Sequence, residues 1–221
     1  MLCNGPSLRS VDFRRINLDR FKVFGLNKIY LGFQMLGFQP DYLVAINRKV
    51  LEQSMRVYST LRVPKFISDR LDVALMPPDP LTFHLRTSDL PEELPRFSKD
   101  ASAYVHEGWT VTHAALQLIY FMGFARVYIV GMDHRFSQHI PGRENDEAML
   151  EGADMDHFHE SYFGGGQKWD LPDLRNSEIS YQAARTAFEE DGRCIYDCTI
   201  GGACNVFERR SVEEIYADQD V

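Results

Sequence analysis

The sequence predicts an α/β fold, a Rossmann-like three-layer sandwich with a mostly parallel sheet and a loop or lid insertion. Three observations lead there. Short apolar runs alternate with stretches of helical period, which calls for right-handed crossovers and a sheet covered on both faces. The apolar runs end in Asn, Asp or Ser. One long stretch, 136–173, breaks the rhythm with Gly, Asp, His and aromatic residues.

The elements follow in order. Met1-Leu2-Cys3 precedes the turn Asn4-Gly5-Pro6-Ser7-Leu8 and leaves room for only a stub of a first strand, so the start reads as clipped. Residues 22–27, 42–47 and 65–69 read as short buried strands. A short helix over 28–37 stops before Pro40, and a longer one covers 49–61. Segment 76–103 is rich in Pro and charge and reads as irregular. Val111, Ala114, Ala115, Leu118, Ile119 and Met122 keep the i, i+3, i+4 spacing of an amphipathic helix, with Thr110 or Thr112 placed to cap it and Gly123 to end it. Residues 126–131 form a strand beside it. A last helix over 177–191, stopped by Gly192, leads into a strand over 194–198. The stretch 136–173 reads as a lid, because Phe158, Tyr162, Phe163 and Trp169 are too many aromatics for a linker. All 221 residues are read as a single domain.

Composition bounds the function. With 44% hydrophobic residues the chain can build a real core, which excludes disordered and fibrous classes. The formal charge is −8 and the basic residues are scattered, which argues against nucleic acid as a partner. No apolar run approaches the roughly 18 residues of a membrane span and no signal-peptide pattern opens the chain, so a soluble, cytoplasmic protein is expected. Cys3, Cys194, Cys198 and Cys204 lack paired C-x-x-C spacing and read as reduced structural thiols, not metal ligands.

In an open α/β sheet, ligands sit beyond the carboxyl ends of the strands. Asn4, Ser7, Asn27, Asn47, Asp69, Asp133 and Asp197 fall there. An Asn amide both donates and accepts, which suits a ribose, a base edge or a sugar, although Asn also favours the turn after a strand. Gly5 permits close backbone approach, and Ser7 can cap the next helix and present N–H groups to an anion. No G-x-x-x-x-G-K-[ST] is present, which excludes a P-loop kinase, and the lack of G-x-G-x-x-G disfavours a dinucleotide oxidoreductase. Gly164-Gly165-Gly166 reads as a hinge. Histidines gather in the second half: His134 after Asp133, then His139, then His157 and His159 inside the run 154–160. That run offers a general base of near-neutral pKa, against which stand a solvated acidic loop and, less favoured, an adventitious metal site. His84, His106 and His113 stand apart and read as structural.

Together, Asn4-Gly5-Pro6-Ser7-Leu8, Gly25-Leu26-Asn27-Lys28-Ile29-Tyr30, Thr112-His113-Ala114-Ala115-Leu116-Gln117, Val130-Gly131-Met132-Asp133-His134 and His157-Phe158 with Tyr162-Phe163-Gly164 resemble one family. It is the bacterial group related to the motility accessory factors, which attach sialic-acid-like sugars to flagellin, and whose central DUF115-type domain is described as 6-hydroxymethylpterin pyrophosphokinase-like. That domain in turn looks like the bacterial CMP-sialic-acid sialyltransferases. The resemblance implies an inverting, sialyltransferase-like glycosyltransferase that moves a nonulosonic-acid-type sugar from a CMP-activated donor to an acceptor hydroxyl on a glycan or protein, with no obligatory metal. It implies that Asn4, Gly5, Ser7 and Asn27 serve the nucleotide and its phosphate, that Asn47 lies near the donor, and that Thr110 and Thr112 face the sugar carboxylate. Asp133 and His134 would flank the nucleotide. His157, with His159 as rival, would be the base. Where the sialyltransferases carry tyrosines to support the departing phosphate, this chain has His134 and Arg135, with Tyr162 available to contribute.

Two other functions fit the pattern. An ATP- and magnesium-dependent diphosphotransferase acting on a pterin alcohol would need paired carboxylates, for which Asp69 and Asp133 are available. The Thr-Asp-Leu-Asp-Gly segment associated with such kinases is replaced by Ala45-Ile46-Asn47-Arg48. A non-catalytic nucleotide- or sugar-binding module is the other. A homo-oligomer is compatible with all three.

Overall fold

A computed structural model describes residues 1–71, 77–87, 95–138 and 140–217. His139 lies outside the described residues. The ordered elements are β1 (Phe24–Leu26), α1 (Phe33–Leu36), β2 (Tyr42–Ala45), α2 (Arg48–Tyr58), β3 (Lys65–Ser68), β4 (Thr82–Leu85), α3 (Val111–Phe121), β5 (Arg126–Ile129), β6 (Glu147–Leu150), β7 (Gln167–Asp170), α4 (Leu174–Glu190), β8 (Cys194–Asp197), β9 (Glu208–Arg209) and α5 (Val212–Ala217).

Two parallel sheets, β1-β2-β3-β4 and β5-β8-β9, are joined through one residue. Leu2 bridges Gly25 of β1 on one side and Val130 beyond β5 on the other, both parallel. Its N–H donates to the Phe24 carbonyl at 2.8 Å, and the Cys3 N–H donates to Val130 at 2.9 Å. The stub 1–3 is therefore the centre of one continuous sheet, in the order β4-β3-β2-β1, Leu2, β5-β8-β9.

Strand alternation explains why the sheet is buried on both sides. Leu43 and Ala45 enter one core with Leu51 and Tyr58 of α2 and Ile215 of α5, whereas Val44 and Ile46 enter a second core with Ala114, Ala115 and Leu118 of α3 and Phe188 of α4. This is the three-layer α/β arrangement that the sequence predicts. Among the described residues, no helix is long and apolar enough to cross a membrane.

Three expectations change. The helix expected over 28–37 is a 3₁₀ turn, Ile29–Gly32, followed by the single-turn α1, which Gly37 closes with φ +79°. Segment 76–103 contributes the edge strand β4, whose register with β3 begins at Lys65 opposite Thr82. The stretch 136–173 is only partly irregular: β6 and β7 pair antiparallel, Glu147 opposite Asp170. Ala148 and Trp169 face each other in that ribbon and enter the core on the α2 side, which anchors the insertion to the sheet.

Candidate functional site

Leu2 sits where crossovers leave in opposite directions, toward β1 on one side and β5 on the other, and such a switch point opens a crevice at the carboxyl ends of the strands. A cleft of about 650 Å³ lies there. Asn4 and Gly5 enter it from the stub, Asn27 from β1, Asn47 from β2, Thr110 and Thr112 from the start of α3, and Asp133, His134 and Arg135 from the end of β5. His157 and Tyr162 close it from the insertion. Of the strand-end and site residues singled out in the sequence, Ser7, Asp69, His159 and Asp197 are outside the lining.

The turn after the stub is closed by a side chain. Asp133 accepts the Ser7 hydroxyl at 2.6 Å and the Ser7 N–H at 3.2 Å. A methyl group on Gly5 would overlap that carboxylate and stand 2.7 Å from the Gly131 carbonyl oxygen, so only glycine fits. The Ser7 N–H expected to greet a ligand anion already serves Asp133, a buried acceptor that needs it. The Asn residues divide in the same way. Asn47 caps α2, its Oδ1 accepting the Val50 N–H at 3.1 Å, and its amide donates to Asp170 at 3.0 Å, so it clasps the insertion while lining the cleft. Asn4 donates to the Leu26 carbonyl at 3.1 Å, while its Oδ1 and that of Asn27 are buried without a partner. Two sheltered acceptors on a cleft wall are what a donor-bearing ligand would satisfy.

The start of α3 is built by Gly108 and Trp109, both left-handed at φ +55° and +59°, which swing the chain into Thr110. The Thr110 hydroxyl accepts the Thr112 N–H at 3.3 Å. This helix terminus lines the cleft, with Arg70 paired to Glu107 at 2.7 Å nearby, and a helix N-terminus in general favours negative charge. The carboxylates around it are already engaged: Asp156 by Ser137 and Gln138, and Asp173 as the cap of α4. His134 lies 3.1 Å from Glu178, and Arg135 donates to the Gly201 carbonyl, so both side chains on the far wall have protein partners.

The insertion carries the sharpest arrangement. His157 Nδ1 is 2.8 Å from Asp154 Oδ2, and Asp154 also accepts the N–H groups of Asp156, His157 and Phe163. Burial pushes the Asp154 carboxyl up, but the bond and charge of His157 and those N–H groups hold it below the ordinary carboxylate value. With Nδ1 held by a carboxylate, Nε2 is the nitrogen left to take a proton. The Tyr162 ring stacks on the imidazole, and burial drives its phenol well above the ordinary value, keeping it protonated. His159 Nδ1 instead accepts the Ser161 N–H at 3.2 Å.

Sequence reasoning missed three contributors. Asp154 was legible only as part of an acidic run. Lys28, placed in a helix, is 1% exposed, with its ammonium on the Tyr162 carbonyl at 2.8 Å and over the Phe163 ring; burial lowers it to about 8, with Asp154 opposing. Trp169 lines the cleft with its indole N–H sheltered and unpartnered.

Magnesium for a diphosphotransferase fits poorly. Asp133 is engaged with Ser7, and Asp69 is exposed, binds the Thr87 N–H at 3.0 Å and does not line the cleft. Among the described residues no group of three or more metal-ligating side chains is assembled.

Comparison with known proteins adds two findings. A family model described as 6-hydroxymethylpterin diphosphokinase MptE-like matches residues 1–139. Among solved structures, the MAf glycosyltransferase from Magnetospirillum magneticum AMB-1 is similar, with a TM-score of 0.60 and 14% identity over 98% of this chain and 35% of that one. At that identity the likeness is one of fold, and the chain spans about a third of that protein's length. A search of curated proteins returns no match.

Proposed function

From the premise that the chain belongs to the 6-hydroxymethylpterin diphosphokinase MptE-like family, a family named for group transfer, we propose that it is a transferase of the sialyltransferase-like type. It moves a nonulosonic-acid-type sugar from a CMP-activated donor to an acceptor hydroxyl. The observation that carries this reading is His157, held at Nδ1 by Asp154 and stacked on Tyr162 at the cleft wall. A neutral imidazole oriented by a carboxylate is suited to remove a hydroxyl proton.

In the proposed step, Nε2 of His157 takes the acceptor's proton as its oxygen bonds to the anomeric carbon. The bond from that carbon to the phosphate oxygen breaks with its electron pair, releasing CMP and inverting the centre. The proton on His157 passes to the phosphate or to water. Asn4 and Asn27 would take donor groups of the nucleotide, and the start of α3 would take the sugar carboxylate. Arg135 gives one N–H to the Gly201 carbonyl and keeps its other guanidinium donors, so it would support the phosphate together with Tyr162, whose phenol stays protonated, while His134 faces Glu178.

The family description favours a second reading, diphosphate transfer to a pterin alcohol. It would use the same base, but the cleft carboxylates Asp133, Asp156 and Asp173 are already engaged by Ser7, Ser137 and the start of α4. Thermal shifts with CMP, CDP, ATP with magnesium, and 6-hydroxymethylpterin separate the two. Stabilisation by CMP supports the sugar transferase; stabilisation by ATP with magnesium, and not by CMP, overturns it. Nucleotide binding without turnover under any acceptor would leave a binding module.

A further inference from the structure

Beside the cleft lies a second chamber of about 350 Å³, and Phe136, Trp169, Leu171 and Pro172 line both. This volume falls within the roughly 300–1,000 Å³ of small-ligand pockets. The shared wall runs past the base: the His157 ring centroid is 6.0 Å from that of Phe136 and 6.2 Å from that of Trp169. The chamber's own wall is fixed to the same turn as His157. Ser137 donates its N–H and hydroxyl to Asp156 at 2.6 Å, and the Gln138 side chain accepts the Met155 N–H at 2.7 Å and donates to the Ala153 carbonyl at 3.1 Å.

Its chemistry differs from that of the cleft. Phe136 is 37% exposed and lines the chamber beside Pro172. Arg143 and Glu144 bring opposite charges, and neither side chain has an ion-pair partner among the described residues. The Trp169 indole N–H, on the shared wall, has no acceptor. An apolar face with hydrogen-bonding groups of both signs and no net charge suits a neutral, hydroxyl-rich ring better than an anion.

We propose that this chamber is the acceptor subsite and that it takes a neutral pyranoside, whose C–H face packs on Phe136 while Arg143 and Glu144 bind its hydroxyls. One hydroxyl then projects past Phe136 and Trp169 to Nε2 of His157. The assignment rests on the sugar-transferase reading and sharpens its acceptor to a glycan.

The test measures binding to the full chain by calorimetry for CMP, and by saturation-transfer NMR for the methyl glycosides of galactose, glucose and N-acetylglucosamine. N-acetylserine amide and 6-hydroxymethylpterin serve as the competing acceptors. At least one glycoside is expected to bind, and the exposed substitutions Arg143→Ala and Glu144→Ala each to weaken it about tenfold while CMP affinity stays unchanged. Glycoside binding that ignores both substitutions, or binding of the serine or pterin probe alone, overturns the proposal. Glycoside binding sensitive to both variants in a protein that ignores CMP overturns the donor assignment and leaves the sugar chamber standing. If CMP binds and no glycoside does, the subsite fails and the donor reading stands.

Discussion

The imidazole of His157 lies flat on the phenol ring of Tyr162, with centroids 4.1 Å apart and planes 5° from parallel. Asp154 holds the same imidazole in its plane at 2.8 Å, so both tilt and rotation of the ring are fixed. Lys28, bound to the Tyr162 carbonyl, fixes the stack from behind. An imidazole preorganised in this way would need little rearrangement to act as the proposed base.

Asp154→Asn keeps the shape and removes the charge. Turnover is expected to fall by about a hundredfold or more with donor KM little changed, since the base loses its tautomer and its partner's charge. The same carboxylate steadies the fold. Its folded pKa is depressed, so its contribution is present above the unfolded value of 3.8 and is lost as pH falls below it. Urea denaturation should show a shallower loss of stability below that pH in Asp154→Asn than in wild type.

Lys28 has the same sign of pH dependence in an alkaline window. Its ammonium is lowered from 10.5 to about 8 by burial, so the unfolded chain binds the extra proton between those values and stability rises with pH across that window. The difference in unfolding free energy between wild type and Lys28→Met should therefore grow in favour of wild type from pH 8 to 10.5, by up to about 3 kcal/mol. A flat difference would mean that the ammonium is solvated.

Gly5→Ala places a methyl group on the Asp133 carboxylate and against the Gly131 carbonyl. A loss of about 2–4 kcal/mol in stability, together with lost nucleotide binding, is expected from chemical denaturation and calorimetry. Ser7→Ala removes only one bond to Asp133 and should cost about 1 kcal/mol.

Thiol labelling tests the cysteine reading. Cys3, Cys198 and Cys204 are buried, and burial raises their thiols to about 12, 12 and 11. A disulfide reagent at neutral pH should modify Cys194 alone in the native protein and all four on unfolding.

Local chemistry made much of this legible. The spacing of Val111, Ala114, Ala115, Leu118 and Ile119 placed α3, and of the two caps the sequence offered, Thr110 and Thr112, the structure uses Thr110, because helix period and capping are set within one or two turns. The Asn-Gly-Pro-Ser turn likewise marked the end of a first strand, which the structure shows at the centre of the sheet. What stayed hidden depends on residues distant in sequence. Ala148 meets Trp169 across a ribbon whose register no local pattern announces, and Lys28 is buried only because the Tyr162 carbonyl arrives from far along the chain. Asn47 looked like a ligand residue by position, yet Asp170 and the start of α2 claim its amide. Asp154 could have been singled out from its i, i+3 spacing to His157, a distance at which a carboxylate reaches back to an imidazole in a tight turn.

The central claim is that His157 is the base of a sugar-transfer reaction. The direct measurement is CMP release from CMP-N-acetylneuraminate, in the presence of acceptor glycosides, by wild type, His157→Ala and His159→Ala. The account predicts a loss of about 10²–10⁴-fold in His157→Ala with CMP affinity retained, and a change within roughly twofold in His159→Ala. Undiminished release by His157→Ala would contradict it.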